Sequence, residues 1–106
     1  MKEVTVQYLK ELKENDKDYL LIDVREQFEF DLSNLNGTHI PMGEIQERLG
    51  EVEDKKEAEV IIMCRSGARS ARVTQFLEAE GFTNVSNLKG GITAWSREID
   101  TTMPVA

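Results

Sequence analysis

The chain has 106 residues, enough for one domain and one core but not for two. Its 13 basic and 20 acidic side chains leave a net charge of −7, the wrong sign for a nucleic-acid phosphate surface or an anionic membrane. One Cys and one His exclude an internal disulfide and a Cys/His metal cage, and the composition, 40% hydrophobic and 31% charged, is that of a folded globular domain.

Met1-Lys2-Glu3-Val4 runs straight into an amphipathic segment, so no secretory leader is expected. Residues 5–15 carry Val6, Leu9 and Leu12 at a spacing of three, which predicts a helix capped by Thr5. Tyr19-Leu20-Leu21-Ile22-Asp23-Val24 reads as a buried strand, too short to cross a bilayer. A short helix over 26–30 and a turn at Asn34-Leu35-Asn36-Gly37 precede an extended piece, 38–41, ended by Pro41. A helix is expected over 42–49, then a polar stretch over 51–59 and a second buried strand over 58–63. A further helix over 69–79 is closed by Gly81, and a third strand is expected over 82–85. Gly90-Gly91 forms a tight strand-to-helix turn into a last helix, 92–99, whose Ile92 and Trp95 face the core. Alternating strands and helices predict an α/β domain, a mostly parallel sheet with helices on both faces. Ligands of such sheets sit at the carboxyl ends of the strands.

The chemistry concentrates in Val60-Ile61-Ile62-Met63-Cys64-Arg65-Ser66-Gly67-Ala68-Arg69-Ser70-Ala71-Arg72. A strand ends at Cys64, a loop curls through Gly67, and a helix begins on its far side. Such a curl aims backbone N–H groups inward and adds the positive end of a helix dipole. Arg65, Arg69 and Arg72 stand there with no acid among them, inside an acidic chain. That setting favours an anion and holds a thiol as its nucleophilic thiolate. Attack on sulfur and attack on phosphorus both fit. Asp23 and Arg25 leave their strand on one side and read as a buried ion pair or loop anchor. His39 reads as a turn residue at the rim rather than an acid or base.

With these motifs in order, the sequence resembles a single rhodanese domain. Leu21-Ile22-Asp23-Val24-Arg25-Glu26 is similar to the family's first-strand signature. Gly37-Thr38-His39-Ile40-Pro41 is similar to its Gly-His-Ile-Pro segment with one residue inserted. The run from Cys64 to Ser70 is similar to its active-site loop, and Leu88-Lys89-Gly90-Gly91-Ile92-Thr93-Ala94-Trp95 to its C-terminal motif. The resemblance implies a rhodanese-like three-layer sandwich, 1–106 as one domain with a core over about 5–99 and a short tail over 100–106. It implies a five-stranded, mostly parallel sheet, with Gly90 and Gly91 near the mouth of the site.

It also implies sulfur transfer through a persulfide on Cys64, with no other cofactor. The similar cell-cycle phosphatases place five residues between Cys and Arg. Here there are four, Arg65, Ser66, Gly67 and Ala68, and Ser70 stands where the phosphatase Arg would be. The smaller ring of donors suits sulfur better than a tetrahedral phosphate. N–H groups from Arg65 to Ser70 are expected to stabilise the anionic sulfur, with Arg65 and Arg69 binding the sulfonate of a donor such as thiosulfate. The expected partners are a small anionic sulfur donor and a thiol or cyanide acceptor. The ending Ile99-Asp100-Thr101-Thr102-Met103-Pro104-Val105 resembles rhodanese domains fused behind adenylyltransferases that activate sulfur-carrier proteins, departing at Thr101 and Ala106. That adds a sulfur-carrier or adenylyltransferase protein as a partner. A cytoplasmic monomer is expected, with no metal, nucleic acid or membrane partner.

Overall fold

The two apolar runs of the sequence lie side by side at the centre of a sheet. A computed structural model describes residues 1–106. Its strands are β1 (Lys2–Val4), β2 (Leu20–Asp23), β3 (Thr38–His39), β4 (Val60–Met63) and β5 (Val85–Leu88), in the order β1-β5-β4-β2-β3. Every neighbouring pair is parallel. Leu21 stands opposite Ile61, and Ile22 opposite Ile62. Four α-helices, α1 (Val6–Glu14), α2 (Gln27–Leu32), α3 (Ala68–Ala79) and α4 (Gly91–Glu98), complete the chain.

A strand alternates its side chains between faces, so a sheet covered on both sides needs apolar residues at every position. β4 meets this need. Val60 and Ile62 join a cluster that includes Ile40, Val73 and Leu77, under α3. Ile61 and Met63 join the opposite cluster, with Leu9 of α1 and Ile92 and Trp95 of α4. Each such side chain contributes about 1.5–3 kcal/mol on burial. The three-layer α/β architecture expected from the alternation is the one observed. The Thr5 hydroxyl caps α1 by accepting from the Tyr8 N–H at 3.1 Å.

Three elements differ from the sequence reading. The helix expected over 42–49 and the polar stretch after it contain two 3-10 segments, Met42–Glu44 and Leu49–Lys55. Only Ile45 and Val52 are buried there, and Gly43 and Gly50 interrupt, so no apolar stripe supports an α-helix. The third strand begins at Val85 rather than Phe82. Phe82 instead finishes α3: its N–H donates to the Leu77 carbonyl at 3.0 Å past Gly81, which adopts φ 99°. This is the 6→1 bond of a Schellman ending, and Phe82 is its apolar cap. The edge strand β1 was unforeseen. Two of its three residues are exposed and charged, and only pairing with β5 makes it a strand.

Candidate active site

All strands point their carboxyl ends the same way, and the loop after β4 closes that end of the sheet. The Cys64 sulfur sits at the bottom of the loop, where the Gly67 N–H donates to it at 3.1 Å. The Ser70 hydroxyl, from the first turn of α3, lies 3.2 Å away, within donating reach of the sulfur. Gly67 caps α3 with φ 108°, a conformation an L side chain resists, and this turn brings its amide around to the sulfur.

The first two carbonyls of the loop are engaged by α4. Its first amides lack partners within the helix. Ile92 N–H donates to the Cys64 carbonyl and Thr93 N–H to the Arg65 carbonyl, each at 3.0 Å. With those carbonyls engaged, the amides that follow can point inward. Gly91 allows this approach, because a methyl there would press into the carbonyl oxygens of both Cys64 and Arg65, at a φ of 57°. Gly91→Ala is therefore expected to slow alkylation of Cys64 at neutral pH by roughly 10–100-fold and to lower stability by about 1–3 kcal/mol. Timed iodoacetamide labelling followed by intact mass, and urea denaturation, are the two measurements.

Cys64 itself is only 1% exposed and belongs to the core cluster on the α3 side. Burial is the largest single influence on its thiol and pushes it up. The Ser70 hydroxyl, with the amides of Ser70, Gly67 and Ser66, outweighs burial and holds it below the usual thiol value. These donors fall within the run from Arg65 to Ser70 expected to supply them, and the Cys64 charge in turn favours the charged form of Arg69. Ser66 and Ala68 are exposed at the rim.

The two arginines beside the cysteine have different surroundings. Arg65 is exposed and makes no ion pair. Arg69 is bound two-pronged by Glu29 of α2, Nη1 to Oε1 at 2.7 Å and Nη2 to Oε2 at 2.9 Å. Glu29 was not foreseen; its only local signal is an acid three residues after the Glu26 cap, whose N–H donates to its Oε1 at 3.0 Å. The Arg69 guanidinium is the largest influence on Glu29 and takes its carboxyl from the ordinary 4.5 to about 2, against burial. A carboxyl lowered by folding stabilises the fold above its unfolded value and loses that contribution as pH falls through its folded value. Stability is expected to drop as pH goes from 4.5 towards 2, and Glu29→Gln to flatten that part of the curve. Urea midpoints across this range are the check.

Asp23 and Arg25 form the buried pair expected of them, Arg25 Nη2 to Asp23 Oδ2 at 2.8 Å, with side chains 1% and 0% exposed. Arg25 also donates to the carbonyls of Glu29 at 3.2 Å and Ser33 at 2.8 Å, so it anchors α2 to the end of β2. His39 Nε2–H donates to the Arg25 carbonyl at 2.7 Å, and its ring stacks on Phe30. His39 lies in β3 rather than in the turn expected for it, and it holds backbone. Asn87 of β5, also unforeseen, lies buried beside Ser70, and its one signal is a second polar residue after Ser86 within a short strand.

A sulfur held at the end of a parallel sheet by the curl of a helix start narrows the comparison. The family model for the rhodanese-like domain matches residues 5–98. The chain belongs to this family. Among relatives of the rhodanese-like domain, a sulfurtransferase of Allochromatium vinosum is 39% identical over 82 residues, covering 76% of this chain and 75% of that one. The adenylyltransferase and sulfurtransferase MOCS3-1 of Zea mays is 33% identical over 108 residues, 96% of this chain. The chain spans only 23% of that protein's length. A crystal structure of a rhodanese-like domain protein from Staphylococcus aureus superposes with a TM-score of 0.82 at 34% identity, covering 90% of this chain and 91% of that one.

Proposed function

We propose that this rhodanese-like domain is a sulfurtransferase that carries sulfane sulfur as a persulfide on Cys64. The observation that carries the reading is the convergence of the Gly67 N–H and the Ser70 O–H on one sulfur, at 3.1 and 3.2 Å. Donors so placed stabilise negative charge on sulfur, in the thiolate and in the persulfide that replaces it.

The Cys64 thiolate attacks the outer sulfur of the donor. A new S–S bond forms, the donor's own bond to that sulfur breaks, and the donor leaves with the electron pair, as sulfite when the donor is thiosulfate. An acceptor thiolate or cyanide then attacks the outer sulfur of the persulfide, and Cys64 leaves as thiolate. No general base is needed once the thiol is ionised, and the cycle calls on no cofactor. Arg65, free of any ion pair, is the residue that meets an anionic donor.

The Arg69–Glu29 pair supports a second reading. It offsets the charge of one of the two arginines expected to bind a sulfonate. A protein-borne persulfide has less need of that charge than thiosulfate has. In this reading the domain takes sulfur from a partner and hands it on to a sulfur-carrier protein; the maize relative's name joins a sulfurtransferase to an adenylyltransferase in one protein.

The test is intact mass after incubation with thiosulfate or with a small-molecule persulfide. A gain of one sulfur atom, removed by cyanide with formation of thiocyanate, is expected. An unchanged mass with both donors overturns the proposal. Faster loading from the persulfide favours the second reading.

A further inference from the structure

The carboxamide of Asn87 touches neither the sulfur nor any surface, yet it is bonded to both groups that hold the sulfur. Asn87 is 2% exposed. Its Nδ2 donates to the Gly67 carbonyl at 3.1 Å. Its Oδ1 lies 2.5 Å from the Ser70 hydroxyl. Gly67 and Ser70 are in turn the residues whose N–H and O–H reach Cys64 Sγ. The first of these bonds braces the turn. The second has a different consequence.

A serine hydroxyl carries one proton. Ser70 has two acceptors within reach, Oδ1 of Asn87 at 2.5 Å and Sγ of Cys64 at 3.2 Å, and it can donate to only one at a time. When Cys64 is a thiol, its own S–H can donate to Ser70 Oγ, and the Ser70 proton goes to Asn87. When Cys64 is a thiolate, the sulfur is the stronger acceptor, and a charged acceptor makes roughly twice as strong a hydrogen bond as a neutral one. The hydroxyl then turns to the sulfur and Asn87 Oδ1 gives up its donor inside the protein, where an unpartnered acceptor is costly.

We infer that Asn87 is a positioning residue that competes with Cys64 for the Ser70 proton, so that Ser70 donates fully to the sulfur only when the sulfur is charged. Ser70 keeps its proton throughout and changes only its direction. The proton lost by the thiol goes to solvent. Asn87 thereby moderates the acidity of the thiol and leaves the thiolate more basic, and more nucleophilic, than an unopposed Ser70 would. The role concerns the ionisation of Cys64 and stands whether or not sulfur is the group transferred.

The test is the pH dependence of Cys64 alkylation by iodoacetamide, which needs no sulfur donor. The charged and titratable groups around the loop are Arg65, Arg69, Arg72, Glu26, Glu29, Lys89, the Asp23–Arg25 pair and His39, and all remain in place in the variants. Asn87→Leu removes the competing acceptor while keeping the number and branching of the side-chain heavy atoms. It is expected to move the inflection of the alkylation rate to lower pH by about 0.5–1 unit. The same substitution in a Ser70→Ala background is expected to produce no downward move, because the shared proton is gone. Asn87→Ala serves the same purpose if the leucine variant does not fold. A brace acting only through Gly67 predicts the opposite, since a loosened loop weakens the amide contacts and moves the inflection up. An inflection that rises or stays in place, or a downward move that persists without Ser70, overturns the inference.

Discussion

Cys64→Ser is expected to abolish sulfur loading while leaving the fold intact. The hydroxyl that replaces the thiol is smaller and still meets the Gly67 N–H and the Ser70 side chain, so the cup keeps its contents. Urea denaturation should therefore register a change of no more than about 1–2 kcal/mol. Chemistry has no such tolerance. A serine hydroxyl is not appreciably ionised in this setting, and it cannot form the S–S bond that stores the transferred atom. No mass gain should appear with any donor, and thiocyanate formation should fall by roughly 10³-fold or more. Turnover at the rate of the unaltered protein would remove Cys64 from the reaction.

The second large effect is on stability. Arg25→Ala should lower the free energy of unfolding by about 3–5 kcal/mol, from a total that for domains of this kind is about 5–15 kcal/mol. The loss has two parts. Asp23, fully buried, is left as an uncompensated carboxylate at the end of β2. The carbonyls of Glu29 and Ser33 lose their donor as well, so α2 is cut loose from the sheet. Replacing both members, Asp23→Asn with Arg25→Met, should recover part of the loss, because the buried charge is gone. Urea midpoints of the two variants measure the difference. A double variant no more stable than Arg25→Ala would mean that the carbonyl contacts, rather than the charge, dominate.

What could be read from the chain alone follows from how local each signal is. β2 and β4 declare themselves because a strand buried on both faces must be apolar throughout, and α1 because its apolar residues recur at the helical period. The loop is legible because a strand end, a cysteine, a glycine and a helix start stand next to one another. β1 is invisible, since what makes it a strand is a partner at the other end of the chain. β5 is displaced in the reading because Ser86 and Asn87 dilute its apolar pattern, while Phe82, which looks like strand, belongs to a helix ending. The same limit applies at the site. Cys64 and its loop are contiguous, but Glu29 and Asn87 reach Arg69 and Ser70 across 40 and 17 positions. No spacing rule connects them.

The bonds from Ile92 and Thr93 to the carbonyls of Cys64 and Arg65 have a temporal consequence. During synthesis the cysteine leaves the ribosome well before α4 does, and β1 waits for β5 as well. Until the last helix emerges, nothing turns those carbonyls aside, and the nascent chain bears an ordinary, sluggish thiol. The reactive form of the cysteine is thus a property of the docked domain rather than of the loop that carries it.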